Sequence, residues 1–444
     1  MHTALRPVLV MAVLAAVGLR VVNAFSFPVG YGFDAEGNWA YIEHLLGSWG
    51  LPAPDAGWST SHPPLFYYLA AAVLRALGRP EKEVAVPILR VAVSVAGLGM
   101  APVAAWLARW RCPARPLLPW IAALLVLYVP AHIVVSAMLN EELVTAFLVS
   151  LGVVGACRSL SEGSKISPAV EVGIGMALGA GLLTKLSAAA PLLAVAASYG
   201  LAAAARGDGG RAARLGLVLL SAGAISAWYY VRNWWLHGYF YPHGLETHAL
   251  MRGMPPGHRE ILDYLRIPLA TWTDPQVLAP DLLRSVWGST WATLWFDGHR
   301  HFLPREDPRV EAMGAVILAL AVVPALAFAR GLAHAVARLL GGRDLEEAPL
   351  VLLVVSTLAG YVAFTWRNPW FAVLKGSYLL GLSVPFAFYA ARELDAALRR
   401  PRWRWVVAGV LVALLVLVAV TFTQGLLFEK AEPPGLPWYR TRGN

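Results

Sequence analysis

Long apolar runs alternate along this chain with shorter polar breaks, and the breaks hold most of its charge. A helix that crosses a bilayer needs about 20 apolar residues. Runs that serve cover residues 5–25, 86–110, 117–138, 144–157, 169–183, 187–205, 215–236, 314–335, 349–366, 374–392 and 406–428. The pattern predicts an all-α polytopic membrane protein with about eleven transmembrane helices. Residues 63–77 are apolar but short, which predicts a juxtamembrane helix. The pair 169–183 and 187–205 is broken at Thr184-Lys185.

Two polar segments interrupt the series. The first, 33–68, gathers Asp34, Glu36, Glu43, His44, Asp55 and His62 between apolar neighbours. The second, 237–309, is long enough to need structure of its own. In it Trp287, Trp291 and Trp295 recur every four residues, one stripe of a helix expected to lie in the interface plane. Residues 1–428 are therefore expected to form one transmembrane body. It contains a first outer loop at 27–85, a long outer loop at 237–310 and, beyond it, a short outer tail at 429–444. No internal repeat is visible, which weakens a transporter built from paired halves.

Composition agrees with the pattern. The chain of 444 residues is 58% hydrophobic and 14% charged, against about 25% charged in soluble domains. The net charge of +9 is not a nucleic-acid footprint, because its position follows the spans. Arg109, Arg111 and Arg115, Arg158 and Lys165, Arg206, Arg211 and Arg214, Arg338 and Arg343, and Arg399, Arg400, Arg402 and Arg404 all fall in breaks on one side. Arginine and lysine mark the cytoplasmic side of short loops. The amino terminus is then inside, and 33–68 and the tail are outside. The pattern predicts a multi-pass protein; the membrane expected for it is a bacterial-type plasma (inner) membrane. Arg6 with Val22-Asn23-Ala24 has the outline of a cleavable signal, but Arg20 interrupts it and a retained anchor is expected. Cys112 and Cys157 give neither a disulfide framework nor a metal spacing. Trp228, Tyr229, Tyr230, Trp234 and Trp235 close the 215–236 run at headgroup level.

Several residues could carry chemistry. Asp34 stands where a helix begins, so it could cap the first amides. Alternatively, with Glu36, it is a carboxylate near a low-dielectric boundary, where burial strengthens a base. His62-Pro63-Pro64 is a rigid corner aimed at the membrane surface. In Asn140-Glu141-Glu142, Glu142 suits a helix cap and Glu141 the site. Lys185 and Lys375 interrupt or open apolar runs and Arg232 ends one; cations so placed snorkel, pair or mark a function. On one face they suit an anionic phosphate. His237, His243, His248, His258, His299 and His301 show no zinc spacing.

Gly32-Phe33-Asp34-Ala35-Glu36, Tyr41-Ile42, Gly50-Leu51-Pro52, Gly57-Trp58 and His62-Pro63-Pro64-Leu65 resemble the first outer loop of GT-C glycosyltransferases. The group that uses polyprenyl-phosphate sugars, with the protein O-mannosyltransferases and the lipid A aminoarabinose transferases, is the most similar. Asn140-Glu141, Gly181-Leu182-Leu183-Thr184-Lys185, Trp228 to Asn233 and Lys375-Gly376-Ser377-Tyr378 continue the resemblance. It implies Asp34 as the catalytic residue, supported by Glu36 or Glu141, with a divalent metal left open and no other cofactor. It implies His62 at the lipid phosphate, with Lys185, Arg232 and Lys375 as further candidate holders of it and Tyr378 as a substrate-binding candidate. The family's adjacent Asp-Glu is split here by Ala35, and Asn38 stands where many relatives have His. The implied reaction is inverting transfer of a hexosyl or pentosyl unit from a polyprenyl-phosphate sugar to a hydroxyl of a lipid, glycan or protein. The rival readings are a lipid-linked-saccharide flippase and a glycan polymerase or ligase with a diphosphate-linked donor.

Overall fold

A computed structural model describes residues 2–207, 209–242, 245–305 and 307–433; His243 and residues 434–444 of the expected tail lie outside the described residues. The described chain is helical, its one strand-like feature being an isolated bridge between Pro256 and Trp370. In order the helices are α1 (His2–Ser26), α2 (Ala35–Gly47), α3 (Leu65–Ala76), α4 (Lys82–Arg111), α5 (Leu118–Leu127), α6 (Pro130–Ser136), α7 (Glu142–Glu162), α8 (Ala169–Thr184) and α9 (Ala189–Arg206). There follow α10 (Gly209–His237), three single turns α11 (Ala249–Arg252), α12 (Ala270–Thr273) and α13 (Pro280–Leu283), α14 (Val286–Trp295), α15 (Pro308–Leu340), α16 (Ala348–Arg367), α17 (Ser383–Leu398) and α18 (Pro401–Thr421).

Among the described residues nine segments are long and apolar enough to cross a membrane, and the bent pair α5–α6 makes a tenth. The chain is a multi-pass integral membrane protein. All eleven apolar runs are helical, but 117–138 is the bent pair α5–α6, 374–392 opens in a 3-10 segment before α17, and α8 has only 16 residues, short for a crossing. The 53° bend between α5 and α6 falls at Val129-Pro130, where proline lacks an amide and forces the preceding residue out of the helix; Val129 has ψ 120. The last helix stops at Thr421 rather than Phe428. There Asn23 of α1 donates to Phe422 O, and Gln424 bonds to Asn23 and Phe302, which folds the chain back on the bundle.

Packing follows from small residues and buried arginines. Gly175 and Gly179, one turn apart on α8, meet α10 backbone to backbone. A Cβ on either would lie 2.3 Å from Val218 O or 2.6 Å from Ala222 O, the close approach that small residues permit between apolar helices. Arg90 of α4 is fully buried and donates to Phe27 O and Pro28 O at 2.6 and 2.7 Å. A cation there offsets the partial negative charge of the α1 carboxyl end and fixes where the first loop leaves the bundle.

The two ends of α4 mark the two faces. At Arg111 an ion-pair belt joins Arg111 to Glu346 and Glu347, Arg338 and Arg392 to Glu347, and Arg115 and Arg399 to Asp395. At Lys82, the other end, lies the first loop. The expectation of an interfacial tryptophan helix is not met. Trp295 and most of α14 are buried, and Gly376 packs so closely that its Cβ would sit 2.4 Å from Leu294 Cα. The reverse side of the stripe is Gly288, Ser289, Thr290, Ala292 and Thr293, which has no charge to present to water. Such a helix is at home in the core.

Candidate functional site

The first loop folds down on the α6–α7 turn. Gly32 sits at φ +119, where a Cβ would come 2.6 Å from Met138 Cγ, so only glycine fits the approach. Phe33 N–H donates to Met138 Sδ, and Asn38 Nδ2 donates to Leu139 O at 2.8 Å. Asp34 follows with φ 55, an uncommon left-handed conformation for a non-glycine residue. It occupies the N-cap position of α2, yet its side chain makes no cap bond. The carboxylate instead accepts from Trp58 Nε1 at 2.7 Å and faces Lys375 Nζ at 3.8 Å. Burial alone would raise the Asp34 carboxyl, but Lys375, the Trp58 hydrogen bond, His62 and Lys185 outweigh it and hold it at about 2.

A second ion cluster adjoins the first. Lys185 comes from the break after α8, where its extended backbone (φ −157, ψ 134) turns the ammonium inward. Its Nζ lies 2.8 Å from Glu141 Oε1 and 2.7 Å from Glu142 Oε1. Burial would lower Lys185; the two carboxylates more than offset it and hold the ammonium above its ordinary range. Burial likewise would raise Glu141, but Lys185 first and His62 next pull it down. His62 Nδ1 lies 3.7 Å from Glu141 and 3.0 Å from Tyr67 OH. Tyr67 donates onward to Asn38 Oδ1 at 2.8 Å, so it accepts from His62. Burial lowers the His62 imidazole despite Glu141. The double proline that follows His62 starts α3, and Tyr229 of α10 holds the corner by donating to Ser61 O and His62 O.

Tyr378 joins the two clusters. Its ring centroid is 5.6 Å from Lys185 Nζ and 5.9 Å from Lys375 Nζ, and Lys375 also lies 4.3 Å from the Phe33 ring. Aromatic faces attract ammonium groups at such distances. His299 and His301 meet the Phe33 ring edge-on at 5.5 and 4.9 Å, and His299 Nε2 donates to Leu374 O. Over the other side of the loop, His248 bonds to Trp58 O at 2.8 Å. Segments far apart in sequence thus converge on Phe33, Asp34 and Trp58.

The structure brings together Asp34, Glu141, His62, Lys185, Lys375 and Tyr378. Glu36 is turned away: exposed, it pairs with Lys82 at the start of α4. Arg232 bonds to its neighbour Asn233 and bears electrostatically on Tyr41, Tyr68 and Tyr229, one turn beyond the His62 corner. Glu43, His44 and Asp55 are exposed. Glu142, Trp58, Tyr67 and Asn38 are members that their local sequence did not single out. Among the described residues no three His, Cys, Asp or Glu side chains converge as a metal site, and the adjacent carboxylates of Glu141 and Glu142 are taken by Lys185.

The buried histidines give stability a pH dependence. Burial, then Lys375, pushes His299 down to about 3, so the folded state refuses a proton that the unfolded chain accepts below about 6.5. That stability is complete above pH 6.5 and is lost as pH falls. His299 alone accounts for about 2 kcal/mol lost by pH 5, and His62 acts in the same direction. Thermal unfolding in detergent at pH 7.5 and pH 5 should show the drop, and His299→Gln should flatten it.

No protein-family model matches the sequence, and no curated protein sequence matches it. Solved structures do. The chain is similar to the Archaeoglobus fulgidus oligosaccharyltransferase in complex with zinc and sulfate, at 17% identity and a TM-score of 0.56, covering 96% of this chain and 54% of that one. The same enzyme with an inhibitory peptide and a dolichol-phosphate matches at 17% identity and a TM-score of 0.52, covering 96% and 56%. ArnT from Cupriavidus metallidurans matches at 18% identity and a TM-score of 0.42, covering 87% and 78%. The chain spans little more than half the length of the archaeal enzyme. Its fold is GT-C-like.

Proposed function

We propose that this chain transfers a sugar from a polyprenyl-phosphate donor to an acceptor hydroxyl, with inversion, on the outer face of the membrane. The observation that carries the reading is one cluster: Lys185 and Lys375 flank the Tyr378 ring, and the Asp34 carboxylate faces Lys375 at 3.8 Å. That pairs an anion site with a base, which phosphate release and hydroxyl activation both require. The GT-C-like fold supports it, as does the dolichol-phosphate bound by the archaeal enzyme of the same fold. The arginine pattern supports an outer location for this face. The first outer loop brings Asp34, Trp58 and His62 to the site, and the long one brings His299 and His301.

In this reading the lipid tail lies between spans and the phosphate meets Lys185 and Lys375. The acceptor oxygen attacks the anomeric carbon from the face opposite the phosphate. The bond from that carbon to the phosphate oxygen breaks, its electron pair staying on the phosphate, where the lysines stabilise the charge. The acceptor proton passes to Asp34. While Lys375 faces it, Asp34 is a weak base at about 2. A phosphate that draws Lys375 away makes it a stronger one, so donor arrival readies the base. Glu141 orients Lys185 and His62. Glu36, engaged with Lys82, takes no part, and Arg232 stands at the rim.

The test is a donor panel. Purified protein in proteoliposomes receives labelled polyprenyl-monophosphate sugars or polyprenyl-diphosphate saccharides, with lipid, glycan or peptide acceptors. Label should leave the monophosphate donor. Label leaving only the diphosphate donor would point to a polymerase or ligase, and labelled lipid crossing the bilayer unchanged would point to a flippase.

A further inference from the structure

Glu142 has no part in the reaction described above, yet it occupies the lysine that the donor needs. Its Oε1 lies 2.7 Å from Lys185 Nζ, and Glu141 Oε1 lies 2.8 Å from the same nitrogen. One carboxylate is enough to neutralise an ammonium. With Asp34 facing Lys375, three carboxyl groups stand against two ammonium groups, one more than the ammonium groups can pair. Burial lowers the His62 imidazole, which makes it a poor counterion for the third carboxyl group. A phosphate anion entering such a site must displace a carboxyl group from Lys185, in surroundings where charges are screened poorly.

The two carboxylates are not equivalent. Glu141 has 4% of its side chain exposed and is bound into the row that leads through His62 and Tyr67 to Asn38. Glu142, at 14%, is held at its side chain by Lys185. Its backbone amide is already served by Asn140 Oδ1, so α7 does not need its side chain as a cap. It also bears electrostatically on Lys375. Glu142 can therefore let go of Lys185 without breaking anything else, while Glu141 cannot.

We infer that Glu142 is a displaceable counterion, which holds Lys185 in the empty site and yields it to the donor's phosphate. It is a positioning residue that sets donor affinity below what the lysines alone would give, and it favours release of the spent polyprenyl phosphate. The inference rests on the reading of Lys185 as a phosphate holder.

Glu142→Gln removes the surplus carboxyl group and keeps the shape, and Lys185 retains Glu141. Calorimetry in detergent with farnesyl monophosphate, a short soluble polyprenyl phosphate, measures the effect. Glu142→Gln should bind roughly tenfold more tightly than the parent, about 1.4 kcal/mol, with slower dissociation. Glu43→Gln, an exposed carboxylate on α2 outside the cluster, should leave affinity unchanged, and Lys185→Met added to Glu142→Gln should abolish the gain. A damaged fold does not tighten a ligand, so the direction of the change separates this role from a structural one; Glu142→Ala should show the same direction. Equal or weaker binding by both Glu142 variants overturns the inference, as does equal tightening by Glu43→Gln. If neither parent nor variants bind the probe, the reading of Lys185 as a phosphate holder falls with it.

Discussion

Asp34→Asn should reduce sugar transfer by about 10²–10⁴-fold, the usual worth of a positioned general base, while donor binding is kept. Asparagine retains the oxygen that accepts from Trp58 Nε1 and is close in size, so the loop has no reason to unfold. What it loses is the proton acceptor and the charge opposite Lys375. Lys375 is then free for the phosphate, and the donor KM should stay level or fall. A drop in kcat with an unchanged or lower KM is the signature of a group that acts in the transition state. Single-turnover assays beside donor binding on the same preparation make the comparison. A parallel loss of both would mean that Asp34 holds the loop rather than the proton.

Lys375→Met should cost about 10²–10³-fold in kcat/KM, the scale on which single donors to a developing anion act. Lys375 is the group through which donor and base communicate, since its ammonium faces both Asp34 and the Phe33 and Tyr378 rings. Its removal also changes the pH profile. With Lys375 facing it in the empty site, Asp34 stays at about 2, far below any working pH, so it sets no acid limit on kcat/KM of the parent protein. Without Lys375, burial is opposed only by the Trp58 hydrogen bond, His62 and Lys185, and the carboxyl moves up. An acid limb should then shift towards neutrality in the pH–rate profile of the residual activity. A profile identical to the parent's would mean that Lys375 and Asp34 do not interact in the working site.

The membrane part of this fold was legible in the sequence, because a bilayer dictates both the length of a span and the side of its arginines. The Thr184-Lys185 break and the short helix after Pro64 could be read for the same reason: charge and proline interrupt helices locally. The site was legible only in part. Asp34, His62, Glu141, Lys185, Lys375 and Tyr378 were all candidates, and they do converge. Their partners were not foreseeable, because pairing across the chain is decided by packing. Nothing near Glu36 announces that Lys82 will take it. Glu142 looked like a helix cap, but Asn140 serves that amide and leaves the carboxylate to Lys185. Asp34 stands at the cap position and its backbone is left-handed there, which turns the carboxylate to Trp58 instead. The tryptophan stripe of α14 has the period of an interfacial helix, and only its small, uncharged reverse side hints at burial.

The central claim is that a lipid-linked sugar loses its phosphate at Asp34. The most direct measurement is release of polyprenyl phosphate from a labelled polyprenyl-monophosphate sugar, by the parent protein and by Asp34→Asn in matched proteoliposomes. The parent should release it with inversion at the transferred sugar's anomeric carbon, and the variant should bind the donor and release almost none. Equal release by a well-folded Asp34→Asn protein, or retention of configuration by the parent, would contradict the mechanism.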